Sequence, residues 1–350
     1  MKEEAQNVHK RRVRYKGTHP RNYKEKYKEL QPEKYADTIE KVIRKGSTPA
    51  GMHISICVNE ILDFLQIRPG QTGLDATLGY GGHTSHMLKE LKSEGHMFAL
   101  DVDPIEIKKT KARLEGMGFG PEILTIKQLN FADIDQLLPE AGGFDFVLAD
   151  LGVSSMQIDN PERGFTYKFE GPLDLRLNPE KGISAAERLR DIDREELEGM
   201  LIENSDEPFA QEIARTITSE IRKGNPVETT TQLQQMVEKA LIRVPEKERK
   251  EAVKKSCART FQALRIDVNS EFEVLEAFLE KLPQILKSGG RVAILTFHSG
   301  EDRLVKKAFQ RFEREGVYSE VCRNVIRPSA EECSRNSRAR STKMRWAIKA

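Results

Sequence analysis

The stretch TGLDATLGYGGH, residues 72–83, is the part of this chain that points most directly to its fold. It predicts a short apolar strand that runs into a glycine-rich turn, after which a helix begins near His83. A strand, a glycine-rich turn and a helix in this order form the cradle in which many α/β proteins bind a nucleotide-like cofactor. A glycine-rich turn alone is weak evidence, because ordinary tight turns also use glycine. The interpretation therefore depends on the residues that follow.

A carboxylate further along supports the cofactor hypothesis. Asp101 ends the next predicted strand, 22 residues after Gly79, close to the ~20-residue spacing at which an acidic residue binds a ribose diol. The turn reads Gly-x-Gly-Gly and lacks the third, spaced glycine of a pyrophosphate-binding turn. It therefore favours S-adenosylmethionine over NAD. Asp75, at the end of the first strand, is placed either to orient the turn or to meet an ammonium group.

Outward from this stretch, apolar strands alternate with amphipathic helices, which predicts an α/β fold with a largely parallel sheet. Strands are expected at residues 72–76, 96–100, 122–127, 144–149, 291–297 and 344–349, and a helix between the second and third strands at about residues 104–116.

The alternation is interrupted in the middle of the chain. Residues 151–182 read as a long loop, residues 184–244 as helices only (185–204, 208–223 and 230–244), and residues 245–255 as a charged, solvated linker. The sheet pattern resumes after residue 256, so the helical block is an insertion. The expected division is a basic N-terminal extension at 1–50, a core at 51–160 and 256–350, and an inserted helical substrate-recognition domain at 161–255.

The charge of the chain is unevenly distributed. The net charge is +2 over 350 residues, but residues 1–50 carry a net +7, residues 322–350 a net +6, and the 271 residues between them a net −11. Basic ends on an acidic body indicate either a nucleic-acid partner or two solvated tails. The first 36 residues interleave basic residues with tyrosines, a composition that can order on RNA or stay a tail.

Several classes of protein are excluded by composition. No apolar run approaches the ~20 residues that cross a bilayer, and the first 15 residues contain no apolar signal segment. The four cysteines form no Cys-x-x-Cys pair, which favours reduced thiols in a cytoplasmic protein. The histidines show no ligand spacing with cysteine or acidic residues, so no catalytic metal is expected.

Two further positions are candidates by their place in the sheet. Asp150 ends the fourth strand, where such sheets face the reacting group, and its carboxylate could accept N–H bonds from an exocyclic amine on a base or hold the cofactor. Phe131 follows the third strand, where it would pack against an adenine or belong to the core.

Long blocks of this sequence resemble the bacterial 16S rRNA cytosine-N4 methyltransferase family (RsmH/MraW). The blocks occur in family order at residues 75–83, 150–155, 157–159, 162–165, 171–176, 259–266, 290–291, 297–303 and 336–341. Substitutions at Ser55, at residues 205–208, at Ser256 and at Gly300, together with the N-terminal extension, suit a divergent paralogue.

The resemblance implies a class I S-adenosylmethionine-dependent methyltransferase (Rossmann-like) fold and transfer of a methyl group to the N4 amine of a cytidine in small-subunit rRNA. Asp150, from its place at the end of the fourth strand, is the predicted catalytic residue. The implied cofactor contacts are Gly81, Gly82, His83, Asp101, Phe131, Asp150 and Gln157. The implied partner is small-subunit rRNA or an assembling ribosomal subunit, with a homodimer as an open alternative.

Candidate substrate-binding residues also fall in these blocks. Each basic side chain could contact RNA phosphate or form an ion pair with the acidic body, and His298 could contact the substrate or serve as a structural hydrogen-bond partner. The candidates are Arg163, Arg259, His298, Arg338 and Arg340. Two other hypotheses stay open from sequence: a paralogue that methylates another RNA nucleotide, and a non-catalytic RNA-binding assembly factor that keeps the cofactor fold.

Overall fold

A twisted sheet forms the centre of the protein. The computed structural model describes residues 55–350, so the basic extension expected at residues 1–50 lies outside the described residues. Within them, the strands pair in the order β3-β2-β1-β4-β5-β7-β6. The strands are β1 (Thr72–Asp75), β2 (His96–Asp101), β3 (Leu124–Gln128), β4 (Phe144–Asp150), β5 (Leu286–Thr296), β6 (Tyr318–Val321) and β7 (Lys343–Lys349).

Strands β1 to β5 run parallel, and β7 lies antiparallel between β5 and β6. This topology confirms the expected class I methyltransferase fold. All six predicted strands are present. The prediction missed β6, because its four residues are buried only at the two ends, a pattern that differs from strict alternation.

Helices cover both faces of the sheet and form a separate block between β4 and β5. They are α1 (Val58–Leu65), α2 (Gly82–Leu91), α3 (Pro104–Gly116), α4 (Leu138–Ala141), α5 (Ser155–Asp159), α6 (Ala185–Asp191), α7 (Arg194–Ser205), α8 (Ala210–Arg222), α9 (Thr230–Ala240), α10 (Glu246–Asn269), α11 (Glu271–Ile285), α12 (Ser299–Arg314) and α13 (Ala330–Arg335). Helical 3₁₀ turns lie at Phe131–Leu137, Pro161–Arg163 and Ser337–Ser341.

The sheet is buried between two apolar layers. One cluster joins β1, β4 and β5 to α11 and α12, and a second packs α1 and α2 against the opposite face. Because parallel strands covered on both faces need apolar residues at successive positions, β4 is buried along most of its length. The chain reverses its winding between β1 and β4, so the carboxyl ends of these strands open a crevice.

The inserted helical block has an apolar core of its own, in which α6 to α9 pack against the second half of α10. The expectation of a linker at residues 245–255 is wrong, because these residues are the first turns of α10. Their charges are the solvated face of a helix, while Ala252 and Val253 pack against the block. The helix expected from residue 185 to residue 204 is broken at Ile192, where Asp193 caps α7 through its side chain.

Because Cys257, Phe261 and Leu264 belong to the apolar core of the helical block, we propose that the insertion ends near residue 270 rather than at 255. Across residues 55–350, no helix has the length and apolar character required to cross a membrane.

Candidate functional site

A large cavity opens at the carboxyl ends of β1, β2 and β4. Its volume is about 1090 Å³, and residues of both the sheet and the helical block line it. The sheet side brings Asp101 and Asp150 to one edge, while Phe165, Phe261 and Gln262 close the side of the helical block. Ligands of open α/β sheets bind at this edge.

The glycine-rich turn is held from below by Asp75. One carboxylate oxygen of Asp75 accepts the Thr77 N–H at 3.1 Å, and the other accepts the Thr84 hydroxyl at 2.6 Å. The side chain is buried, and this burial raises its pKa. Asp75 therefore orients the turn, and an ammonium contact is not supported, because its side chain is buried and is not among the residues that line the cavity.

The glycines of the turn have separate tasks. Gly79 and Gly82 line the cavity. Gly81 is buried with a φ of +69°, and a Cβ atom there would lie 2.9 Å from Thr110 Cγ2. A side chain at Gly81 would thus be strained both by its backbone angle and by helix α3. We propose that Gly81 lets the turn pack closely against α3, which sets the position of Gly79 and Gly82 at the cavity.

The carboxylate of Asp101 joins the turn to helix α3. Its Oδ2 accepts the Gly79 N–H at 2.8 Å, and its Oδ1 accepts the Asp103 N–H at 2.9 Å. Burial raises the pKa of Asp101 to about 6, although these two hydrogen bonds favour the ionised form. Each carboxylate oxygen has a further lone pair. The group can therefore still accept two ribose hydroxyls, so the residues present fit the expected cofactor.

Asp150 contacts the turn from β4. Its N–H donates to the Thr77 hydroxyl at 2.6 Å, and its Oδ2 lies 3.4 Å from His83 Nδ1. Its Oδ1 is buried and has no hydrogen-bond partner among the described residues. Burial raises the pKa of Asp150 to about 6, and the charges of Asp75 and Glu301 add to this rise while His83 opposes it. The Oδ1 atom is therefore an unsatisfied acceptor on a residue that lines the cavity.

His83 uses both ring nitrogens inside the protein. Its Nε2 lies 2.9 Å from the Ile56 carbonyl oxygen, and its Nδ1 faces Asp150. Since a carbonyl can only accept, Nε2 is the ring nitrogen that carries a proton. His83 borders the cavity, and this arrangement favours a role in orienting Asp150 over direct binding of a cofactor.

Phe131 lies between the cavity and the core. Its ring lines the cavity, and it also packs edge-on against Phe278 of the core with ring centroids 5.1 Å apart. Asn130 caps the 3₁₀ turn that begins at Phe131, since its side chain accepts the Ala132 N–H. The ring is therefore anchored in the core at a position that lines the cavity.

Asp103 was missed by the sequence interpretation. Its side chain is fully buried, caps α3 with one oxygen, and accepts from Gln157 and Arg163 with the other. The signal was available in the pair Asp103-Pro104, because an aspartate followed by proline is typical of a helix start. Gln157 lines the cavity, but its amide is bonded to Asp103 and to the Ser154 N–H.

The candidate substrate residues divide into two groups. Arg338 lines the cavity beside its ion pair with Asp159, and Arg340 is exposed. Arg259 is not among the cavity-lining residues, and its guanidinium lies 4.0 Å from the buried Glu207. Arg163 is buried in an ion pair with Asp103. Of these four arginines, Arg338 lines the cavity and is partly exposed, and Arg340 is exposed outside the cavity lining. The expectation of a phosphate contact does not fit Arg163, whose side chain is buried.

A cluster of paired charges forms the wall beside Asp150. Arg265 forms two hydrogen bonds with Glu271, and Glu301 lies 3.1 Å from His298 Nε2. Although burial disfavours its charge, the hydrogen bond and charge of His298 hold the pKa of Glu301 below its usual value. Glu271, His298 and Glu301 offer ligand atoms within 4.8 Å of one another, but both carboxylates already have partners. The cluster therefore acts as a fixed electrostatic wall.

Comparison with known proteins gives consistent matches. The model of the MraW methylase family matches residues 50–350. "Ribosomal RNA small subunit methyltransferase H 1" of Lachnoclostridium phytofermentans is 74% identical and covers 99% of this chain and 95% of that protein. The protein of that name from Agathobacter rectalis is 67% identical over all of both chains, so its similarity includes the N-terminal extension. "Ribosomal RNA small subunit methyltransferase H" of Pseudoalteromonas atlantica is 38% identical and covers 85% of this chain and 98% of that protein.

Proposed function

The chain belongs to the MraW methylase family, and we propose that it uses S-adenosylmethionine to methylate the N4 amine of a cytidine in small-subunit (16S) rRNA. The observation that carries the proposal is that Asp150 lines a cavity shared by the glycine-rich turn and the helical block, while its buried Oδ1 has no partner among the described residues. The relatives named as small-subunit rRNA methyltransferases support the substrate class.

The cofactor would be held by the turn and by the strand ends beside it. Asp101 would accept the ribose hydroxyls, Phe131 would pack against the base, and the backbone of Gly79 and Gly82 would leave room for the rest of the molecule. When bound, S-adenosylmethionine supplies a methyl group that is electrophilic because it is attached to a sulfonium.

Asp150 prepares the amine of the substrate. The lone pair of an exocyclic amine is delocalised into the base, so the nitrogen is a poor nucleophile. An N–H bond donated to Asp150 Oδ1 raises the electron density on that nitrogen, and His83 holds the other oxygen of the carboxylate in place. Alignment of the amine in the cavity supplies much of the remaining effect. Asp150 can accept the amine proton once the new bond has formed.

The helical block completes the substrate side. A base unstacked from its RNA would enter between the sheet and the block, as in other enzymes that act on single bases. Lys168 and Lys181 are exposed at the cavity on the side of the block, and Arg338 lies on the side of the sheet. These cations are placed to meet phosphates on either side of the base. The rRNA substrate implies that the protein acts in the cytoplasm.

The test uses small ribosomal subunits from a strain that lacks the gene. The purified protein and S-adenosylmethionine with an isotopically labelled methyl group are added, and rRNA nucleosides are analysed by mass spectrometry with position mapping. Labelled N4-methylcytidine at one position supports the proposal.

Two other outcomes identify the alternatives. Label on another nucleoside would support the paralogue hypothesis. If S-adenosylmethionine does not bind at any reachable concentration, the non-catalytic assembly factor becomes the better interpretation.

A further inference from the structure

Arg163 is enclosed by partners at the base of the cavity wall. Its side chain is 7% exposed, and its Nη1 donates to Asp103 Oδ2 at 2.7 Å. Its Nη2 donates to the carbonyl oxygens of Arg176 and Leu177 at 3.1 and 2.9 Å. Both terminal nitrogens of the guanidinium are thus engaged inside the protein, so the task of this arginine lies there rather than at an RNA phosphate.

One end of this contact belongs to the cofactor side. Asp103 donates its N–H to Asp101 and caps helix α3 with its Oδ1. The position of Asp103 Oδ2 is therefore fixed by the short segment between β2 and α3, residues 101–103, which also carries the carboxylate of Asp101. Gln157 donates a further hydrogen bond to this oxygen at 3.0 Å, which immobilises it.

The other end belongs to residues 174–178, here termed the substrate loop. Leu175 in this loop is a buried, cavity-lining residue with a φ of +64°, a conformation that is costly for a branched side chain. Such a conformation persists only where the surroundings enforce it. The Leu175 N–H donates to the Arg163 carbonyl oxygen at 3.3 Å, and Asn269 donates to the Leu175 carbonyl oxygen at 2.8 Å.

Asn269 also accepts the Leu177 N–H at 2.7 Å, so the substrate loop is held from α10 as well. The substrate loop is thus held at two points. Arg163 ties it to Asp103, beside Asp101, and Asn269 ties it to α10 of the helical block. The contact at Arg163 requires the forked guanidinium, because one group has to reach a carboxylate and two carbonyls at once.

We propose that Arg163 is a positioning residue that locks the substrate loop to the segment carrying Asp101. The wall that meets the nucleotide is thereby set in register with the cofactor site. The proposal rests on the proposed function for the identity of the substrate, but the contact itself does not depend on it.

The test compares Arg163→Lys with the wild type. Lysine keeps the charge beside Asp103 but cannot also donate to both carbonyls. We expect the Kd for S-adenosylmethionine, measured by calorimetry without RNA, to stay within about 3-fold, and kcat on small subunits to fall at least about 30-fold. Amide exchange at Leu175 and Leu177 should become at least about 10-fold faster. Arg190→Lys is the matched control, because Arg190 forms an ion pair away from this cavity, and it should leave all three measurements unchanged.

Other outcomes would overturn the proposal. A raised KM for RNA at unchanged kcat, with unchanged amide exchange, would make Arg163 a phosphate ligand, and wild-type kinetics would remove any role. If Arg163→Lys does not fold, the double variant Asp103→Asn/Arg163→Gln replaces it, because it leaves no unpaired buried charge at this contact. The same loss of kcat is expected for it. Absence of methylation by the wild type would instead count against the proposed function, and the amide exchange would still test the contact at Arg163.

Discussion

His83 Nδ1 lies 3.4 Å from Asp150 Oδ2, while the other oxygen of the same carboxylate is buried without a partner among residues 55–350. The histidine is fixed at its far side by the Ile56 carbonyl oxygen. This arrangement holds one oxygen of Asp150 and leaves the other without a partner, on a residue that lines the cavity. It is the relationship on which the proposed chemistry depends.

Replacing Asp150 by Asn should lower activity and raise stability. The amide keeps the size of the side chain but loses the negative charge that accepts the amine N–H, so kcat should fall by at least about 100-fold in the methylation assay. The folded state raises the pKa of Asp150 from 3.8 to about 6, so the ionised form opposes folding above that pH. Removing the charge should therefore increase the free energy of unfolding by about 1–3 kcal/mol at pH 7.5, measured with urea.

Asp135→Asn is the matched control for this variant. Asp135 pairs with Lys281, and that hydrogen bond lowers its pKa. Its replacement should leave kcat unchanged and should not raise stability. A loss of stability in Asp150→Asn would contradict the interpretation of the buried carboxylate.

The rate should depend on pH through Asp150. The groups that face this carboxylate are His83 from α2, Asp75 from β1 and Glu301 from α12. With its pKa raised to about 6, Asp150 gains a proton as the pH falls through that value, and the acceptor is lost. At saturating concentrations of both substrates, kcat should therefore decrease below about pH 6.

In the variant His83→Gln, the decrease in kcat at low pH should begin at a higher pH, because His83 is the group that lowers the pKa of Asp150. If kcat decreases at the same pH in the variant and in the wild type, the titrating group is another residue.

Replacing Asp101 by Ala should weaken cofactor binding. The change removes the acceptor for the ribose hydroxyls and also the two backbone hydrogen bonds that shape the turn. We expect the Kd for S-adenosylmethionine to rise by about 30- to 100-fold by calorimetry, in line with the loss of charge-assisted hydrogen bonds. Circular dichroism should show a folded protein. Unchanged affinity would refute the assignment of Asp101 to the ribose.

Replacing Gly81 by Ala should distort the turn. The new Cβ would lie 2.9 Å from Thr110 Cγ2 at a φ of +69°, and the two effects together should cost about 1–3 kcal/mol in thermal or urea unfolding. Gly199→Ala is the control, because Gly199 lies inside α7, where an added methyl group would point into open space among the described residues. That change should stabilise the protein by about 0.5–1 kcal/mol. Equal effects at both sites would contradict the interpretation.

Exposed cations near the cavity should contribute to RNA affinity through charge. Lys168→Ala and Arg340→Ala should each weaken binding of rRNA fragments about 3- to 10-fold, and each lost phosphate contact should reduce the salt dependence of the affinity by about one ion. Lys223→Ala, which removes a cation paired with Glu220 in the helical block, should change neither quantity. Filter binding at several salt concentrations provides the measurement.

The parts of the fold that follow local periodicity were predictable from the sequence. The apolar runs of β1, β2 and β4 indicate buried strands, and helix α3 begins and ends at the predicted residues, Pro104 and Gly116. The first turns of α10 could not be recognised because only Ala252 and Val253 mark an apolar side there. A highly charged segment becomes a helix here because the second half of α10 is anchored in the helical block.

The amino-acid order alone was enough to predict the chemistry available at the strand ends: a glycine-rich turn, Asp101 and Asp150 at the carboxyl edge of one parallel sheet. The reason is that strands and their burial follow from apolar patterning, which is local. Which charges are paired and which are available became known from the folded arrangement. It placed Arg163 against Asp103 and His83 against Asp150, and it left one oxygen of Asp150 without a partner among the described residues, because pairing between residues far apart in the chain is set by packing and leaves no local trace in the sequence.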